Sequence, residues 1–271
     1  MKAKIWTIEK GKTRSQLDRL AVEEPLEIRL IYPSQTVAIT MRTPGNDFEL
    51  AAGFLYSEGV VKSRADIEKI SYCLDPDLDG KQRYNIVNVQ LRDGLNPDLP
   101  SLTRHFFTTS ACGVCGKASL EALELRGCAV ISGGIKITPE IIYSLPEKLR
   151  SQQRVFSQTG GLHAAALFDA TGKLLSLRED VGRHNALDKL IGTAFLANEL
   201  PLNNHIIMVS GRTSFEILQK CLMARVPIIC AVSAPSSLAV TLAKEFNITL
   251  IGFLRGERFN VYAGWERIEI I

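Results

Sequence analysis

Two thiols three positions apart, Cys112 and Cys115, sit among small residues in the stretch Thr108-Thr109-Ser110-Ala111-Cys112-Gly113-Val114-Cys115-Gly116-Lys117. Cysteines at this spacing can supply half of a zinc site, cycle as a disulfide, or act in turn as a sulfur nucleophile and its resolving partner. A structural zinc site needs two further ligands, and the chain has no second Cys-x-x-Cys or His pair. A zinc deaminase joins Pro-Cys-x-x-Cys to an upstream His-x-Glu, and here both the proline and the glutamate are missing. No metal site is therefore expected. Gly113, Gly116 and Ala118 leave the sulfurs accessible and add no packing, which argues against a plain structural role. Thiol redox cycling and sulfur transfer both stay open.

The elements that must position this pair follow from periodicity. The 271 residues are 46% hydrophobic, enough for a real core in one large domain or two moderate ones. No apolar run near the first residue has the length of a secretory signal or of a membrane span, so a cytoplasmic, soluble protein is expected. The other four cysteines, Cys73, Cys128, Cys221 and Cys230, are isolated and do not read as a disulfide framework. A formal charge of +3 with scattered basic residues is too small to demand nucleic acid, so no nucleic-acid partner is expected and a local pocket for a small anion is the better use of the basic residues.

After a polar start, alternation over Leu26–Ile31 and Thr36–Met41 predicts a hairpin, and Asn46-Asp47 caps a helical run that stops at Gly59. Strands from Ile67 to Cys73 and from Tyr84 to Leu91 follow, joined by an Asp-, Pro- and Gly-rich turn. Turn formers between Arg92 and Ser101 place a domain boundary there, giving a small α+β unit over residues 1–100 and a second unit over residues 101–271. In the second unit Lys117 to Leu125 reads as a helix, which sets the thiols at a helix N-terminus where a thiolate is favoured. Thr138-Pro139 opens a helix running to about Gln152, and Leu162 to Leu177 forms a hairpin. Helices from Asn185, Phe215 and Ser237 then alternate with strands His205–Val209, Ile228–Val232 and Ile248–Phe253. Such alternation predicts a mostly parallel sheet covered on both faces.

Ligands of such sheets lie beyond the carboxyl ends of the strands. Those ends read Ser210-Gly211-Arg212-Thr213-Ser214, Ser233-Ala234-Pro235-Ser236-Ser237 and Arg255-Gly256-Glu257-Arg258. The first two lead directly into helices, so hydroxyls, backbone N–H groups and Arg212 could hold phosphate oxygens. Between a strand and a helix, Asp180, His184 and Asn185 offer hydrogen bonds to a base or sugar, while Arg183 and Lys189 could meet phosphate. A capped helix start would need similar residue types. Gly160-Gly161-Leu162-His163 is equally readable as a strand histidine.

These residues resemble the FdhD/NarQ family of formate dehydrogenase accessory proteins over nearly the whole chain. The likeness rests on Asn46-Asp47 to Gly59, Ser110 to Gly116, Thr159 to His163, Glu179 to Ala186, Ser210-Gly211-Arg212, Ser233 to Ser236 and Gly252 to Arg255. The resemblance implies an α/β fold with a cytidine deaminase-like, three-layer αβα main domain, a smaller N-terminal α+β domain and a homodimer. It implies a sulfurtransferase that takes sulfur from a cysteine desulfurase as a persulfide on Cys112, and the spacing of the pair itself points to Cys115 as assisting release by attacking Cys112. The sulfur passes to the molybdenum cofactor, bis(molybdopterin guanine dinucleotide), before its insertion into the formate dehydrogenase apoenzyme. Phe253-Leu254-Arg255-Gly256-Glu257-Arg258 matches the family's cofactor-binding stretch, and a guanine nucleotide such as GDP would mimic part of that cofactor. The rival readings are a non-covalent cofactor chaperone and a thiol oxidoreductase.

Overall fold

The computed structural model describes residues 1–32, 34–75, 77–95, 97 and 128–270. The boundary expected at residue 100, Cys112, Cys115 and the helix expected from Lys117 to Leu125 lie outside the described residues.

The polar start is an antiparallel ribbon of β1 (Lys2–Glu9) and β2 (Lys12–Arg19) rather than coil. It turns on Lys10 and Gly11, at φ 49° and 76°, the two positive angles a tight hairpin of this twist requires. β3 (Glu24–Leu30) and β4 (Gln35–Arg42) form the expected hairpin. With β5 (Ile67–Tyr72) and β6 (Ile86–Leu91) they make a four-stranded sheet in the order β4-β3-β6-β5. The turn expected between the last two strands contains a short helix, α2 (Gly80–Tyr84). Asp79 accepts from the Gln82 amide and the Gln82 side chain returns to the Asp79 N–H, a capping box that alternation did not reveal. Helix α1 (Asp47–Ser57) starts where expected, but Asn46 does not cap it with its side chain. Asn46 is left-handed and its amide instead donates to Glu49 at 3.0 Å.

The larger sheet has six strands in the order β12-β11-β10-β9-β7-β8: β7 (His163–Asp169), β8 (Leu174–Asp180), β9 (His205–Val209), β10 (Ile228–Ala231), β11 (Thr249–Arg255) and β12 (Arg258–Ala263). It is mixed rather than mostly parallel. Only β9, β10 and β11 pair in parallel, whereas the β7–β8 hairpin and β12 run against their neighbours. The polar Arg255–Arg258 segment is thus a hairpin turn into an edge strand.

Period-two alternation sorts the strands between two faces. Ala164, Ala166, Phe168, Ile206, Met208, Ile228, Cys230 and Ile251 pack against Ile142, Leu145 and Leu149 of α3 (Pro139–Gln152), which is followed by the short α4 (Arg154–Thr159). Ala165, Leu167, Ile207, Val209, Ile229, Ala231 and Leu250 join the opposite core, which α5 (Arg183–Leu196), α6 (Phe215–Met223) and α7 (Ser237–Glu245) cover. The result is the expected layering of helix, sheet and helix.

Helix α5 is buried along nearly its whole length because α1 lies across its outer side. A Cβ on Gly53 would sit 1.9 Å from the Asp188 carbonyl oxygen, and one on Gly192 would sit 1.8 Å from that of Glu49. The two backbones touch where only glycine fits. Leu26, Ile28, Val87 and Val89 of the smaller sheet, Leu50 and Leu55 of α1, and Leu187 and Leu190 of α5 belong to one core cluster. No helix among the described residues is long and apolar enough to cross a membrane.

Candidate functional site

Five strand termini meet at one end of the larger sheet. The carboxyl ends of β9, β10 and β11 lie beside the start of β7 and the end of β8, because β7 runs antiparallel to both of its neighbours. From β8 to β11 is four strand spacings, roughly 19 Å at about 4.8 Å each. Across this row stand Asp180, His163, Ser210, Ser233 and the Arg255–Arg258 turn.

The loops after β9 and β10 pair with each other before entering their helices. Thr213 donates its N–H to the Ala234 carbonyl at 3.2 Å, and Ser236 donates to that of Thr213 at 2.9 Å. Ser236 caps α7 through its hydroxyl, which accepts from the Ala239 N–H at 3.2 Å. The N-cap Ser214 makes no side-chain cap, so its hydroxyl is left for His184 Nε2 at 3.3 Å. Arg212 is exposed and Ser233 half-buried. The Ser210 hydroxyl accepts from the Ala164 N–H at 2.9 Å, tying the β9 loop to β7. Gly211 is small for a reason: a Cβ there would lie 3.2 Å from His163 Nδ1 and 3.7 Å from Arg183 Cδ. Gly211 therefore brings a β7 histidine and an α5 arginine together, and among the described residues Arg183 Nε has no partner. At the far end of the row Phe253 has φ 51°, is 41% exposed and donates its N–H to the Ser233 carbonyl at 3.2 Å. Arg255, Gly256, Glu257 and Arg258 are exposed, whereas Leu254 is buried in the α3-side core.

The charged segment before α5 divides differently from its sequence reading. Asp180 is fully buried: Oδ2 accepts from the Thr43 N–H at 3.1 Å and Lys189 Nζ at 2.7 Å, and Oδ1 from the Gly182 N–H at 2.8 Å and Asn185 Nδ2 at 3.2 Å. Both carboxylate oxygens are occupied within the protein. Asn185 also donates to the Met41 carbonyl and accepts from Thr40, and Lys189 donates to the Thr43 carbonyl. Asp180, Asn185 and Lys189 thus fasten β4 to α5 and leave no group for a base, sugar or phosphate. Glu179 accepts the backbone N–H groups of Val155 and Phe156 at the start of α4. Arg183 and His184 remain available.

Two open spaces flank these residues. One cleft of about 840 Å³ lies between β4, α1 and the starts of α5 and α6, bounded by Arg183, His184, Ser214 and Glu216. Its floor holds an ionic cluster that the sequence reading missed: Lys220 Nζ lies 2.9 Å from Asp188 and 3.5 Å from Glu58, and Ser57 donates to Asp188 at 3.1 Å. A lysine at a buried position of amphipathic α6 was the available signal. Burial pushes the Asp188 carboxyl up to about 6 against the pull of Lys220. Burial opposes the charge on Lys220, but Asp188 and Glu58 together hold its pKa above the ordinary lysine value. Burial, then Arg183 and Lys220, push the His184 pKa down to about 4, and burial with Arg183 also lowers His163. Both imidazoles are neutral at pH 7. The second cleft, about 480 Å³, is bounded by His163, Ser210, Arg150 and Phe156 beside α3 and α4.

Three isolated cysteines, Cys73, Cys221 and Cys230, are buried, and burial pushes the Cys230 thiol up to about 12 and raises Cys221 as well. Cys221 and Cys230 therefore stay protonated and unreactive. Partly buried Cys128 lies 3.3 Å from the Met223 sulfur.

The FdhD/NarQ family model matches residues 21–269. The sulfur carrier protein FdhD of Streptomyces coelicolor is 52% identical over 270 residues, covering 98% of this chain and 95% of the relative. That of Sulfurisphaera tokodaii is 47% identical, covering 98% of each. The solved structure of a formate dehydrogenase accessory protein from Desulfotalea psychrophila superposes with a TM-score of 0.77 at 26% identity, over 99% of both chains. With a family match across most of its length and relatives near half identical throughout, the chain belongs to the FdhD/NarQ family.

Proposed function

We propose that this protein is a sulfur carrier in the maturation of formate dehydrogenase. A cysteine desulfurase presents sulfane sulfur as a persulfide, and the Cys112 thiolate attacks the terminal sulfur. The S–S bond of the donor breaks, the donor cysteine leaves as thiolate, and Cys112 carries the persulfide. The recipient is the molybdenum of bis(molybdopterin guanine dinucleotide), held as substrate before its insertion into the apoenzyme. Cys115 assists release: its thiolate attacks the Cys112 sulfur, the terminal sulfur departs as sulfide, and the two cysteines are left as a disulfide. The work is cytoplasmic and done by a homodimer.

The observation that carries this reading is the row of strand ends. Arg212, Ser233, Phe253, Arg255 and Arg258 are at least partly exposed there, and the α6 and α7 N-termini open beside them. A row roughly 19 Å long with arginines and helix N-termini suits an elongated ligand carrying several phosphates. GDP is the probe for one arm of such a ligand. Buried Asp180, Asn185 and Leu254 support the row from within.

Intact-mass spectrometry after incubation with a cysteine desulfurase and cysteine tests the covalent step. A reducible gain of one sulfur mass in wild type and in Cys115→Ala, absent in Cys112→Ala, is expected. No gain in any variant, with GDP binding intact, would leave only a cofactor-holding role. Normal sulfur delivery by Cys115→Ala would remove the release role of Cys115.

A further inference from the structure

Among the described residues, the β1–β2 ribbon packs little against the rest of the molecule. Trp6, Ile8 and Leu17 are 66%, 74% and 70% exposed, and every β2 residue is exposed. A two-stranded ribbon on its own is marginally stable in water, and large apolar side chains left fully outside a fold mark surfaces that are covered in use.

Pairing register sorts its side chains between two faces. Lys4 lies opposite Leu17, Trp6 opposite Ser15, Ile8 opposite Thr13 and Lys2 opposite Arg19, so all eight share one face. The other face takes Ala3, Ile5, Thr7 and Glu9 with Asp18, Gln16, Arg14 and Lys12. The apolar face carries Lys2, Lys4 and Arg19 and no acid, while both acids of the ribbon, Glu9 and Asp18, lie on the opposite face. Charge placed only for solubility would not be segregated in this way. Lys4 Nζ stands 5.8 Å from the Trp6 ring centroid, so cation and aromatic form one surface. At the base, the Met1 amino group donates to the Leu20 carbonyl at 3.1 Å and closes the ribbon, and Arg19 donates to Gln158 of α4 at 2.7 Å, which ties the ribbon to the body. The family match begins at residue 21, immediately past the ribbon.

We infer that the Trp6–Ile8–Leu17 face of the ribbon docks a protein partner that presents an apolar patch with acidic groups at one end of it. An aromatic and aliphatic patch bordered by cations at its base, Lys2, Lys4 and Arg19, is suited to a protein interface, and the one-sided charge selects the sign of the partner. A second copy of this chain would set like charges against each other. An anionic membrane is usually held by clusters of four to eight basic residues, more than the three cations of this face.

The test uses the full chain with two purified probes, the formate dehydrogenase apoenzyme and a cysteine desulfurase, a choice of probes that rests on the proposed function. Trp6→Ser with Leu17→Ser, and separately Lys4→Glu, are expected to weaken binding of at least one probe about tenfold or more. Lys12→Glu makes the same charge change on the opposite face and is expected to leave affinity within about twofold. Binding by wild type should weaken as salt rises. The two lysine variants keep the comparison valid if the Trp6 variant loses its ribbon, and unchanged GDP affinity reports an intact body. Equal affinities across all variants, equal losses for Lys4→Glu and Lys12→Glu, or no binding of either probe to wild type would overturn the inference. So would a ribbon-dependent dimer in sedimentation, or ribbon-dependent binding to phosphatidylglycerol vesicles without probe binding. The persulfide measurement on Cys112 is unaffected by these outcomes, so the sulfur-carrier reading stands or falls separately.

Discussion

The seam around α5, where β4, α1 and α6 close on it, and the row of strand ends are both rich in charge, yet they use it in opposite ways. At the seam, Asp180 meets Lys189 and Asp188 meets Lys220, each of these residues no more than 5% exposed, and glycine brings the α1 and α5 backbones into contact. In the row, Arg212, Arg255 and Arg258 face solvent, and the Ser214 hydroxyl is free of the capping duty its position would normally impose. Charge buried and fully paired is expensive to disturb, whereas charge at a strand end is open to a ligand. The lesson is that one short motif can serve both ends. Asp180 and Asn185 belong to the seam, and Arg183 and His184, between them in sequence, belong to the site.

The sharpest way to break this contrast is Lys189→Ala. It strips the Asp180 carboxylate of its cation inside a closed environment, and losing one partner of a buried pair costs about 3–5 kcal/mol. For a chain of this size that lowers Tm by roughly 6–20 °C, at about 2–4 °C per kcal/mol, in a calorimetric scan. A change within about 0.5 kcal/mol would mean that the seam does not depend on this pair. Gly192→Ala comes next. In an open helix the change would stabilise by up to about 1 kcal/mol, but here the new Cβ meets the Glu49 carbonyl and the sign reverses. Because backbone cannot swing aside, a loss near about 3 kcal/mol is expected from denaturant melts. In the row, Arg255→Ala should leave stability within about 0.5 kcal/mol while weakening GDP roughly tenfold, about 1.4 kcal/mol, by calorimetric titration. Unchanged GDP affinity would remove Arg255 from the site.

The sequence made the larger sheet legible because its strands and helices have strong periods: His205–Val209 is recovered with its bounds, and α6 and α7 start at the expected Phe215 and Ser237. Direction was not legible. Nothing in the composition of Leu162–Leu177 or of Arg258–Ala263 says that these segments run against β9 and β11, since pairing partners are fixed by tertiary packing. The ribbon escaped notice because it buries little and its apolar residues are split between faces, Ile5 on one and Trp6, Ile8 and Leu17 on the other, each interleaved with polar residues. Among site residues, the Ser and Gly of the strand-end loops were readable from helix starts. That Asp180 and Leu254 point inward was not, because a carboxylate that ties β4 to α5 and one that meets a sugar look alike in sequence. The Asp188–Lys220 cluster is formed by residues 32 positions apart, on different helices, and only their packing reveals it.

The smallest expected effect separates the two regions by pH. His184 bridges them, reaching Ser214 at 3.3 Å on the site side while Lys220 acts on it from the seam. Its folded pKa of about 4 lies below the ordinary value of about 6.5. Between those values the unfolded chain binds a proton that the native protein refuses, so this residue lowers stability as pH falls through the window. Asp188 acts with the opposite sign. Its folded pKa of about 6 exceeds the ordinary value of about 4, so between them the native state holds the extra proton, and this carboxyl lowers stability as pH rises. Wild type shows the sum of both. His184→Gln should therefore flatten the acid-side loss of stability between about pH 6.5 and 4, and Asp188→Asn should steepen it. His184 is 36% exposed and solvent screens its partners, so the change in slope is modest. Denaturant midpoints read at half-unit pH steps resolve it. Parallel curves for wild type and His184→Gln would show that the imidazole titrates as it does in the unfolded chain, with the seam charges not felt at the site.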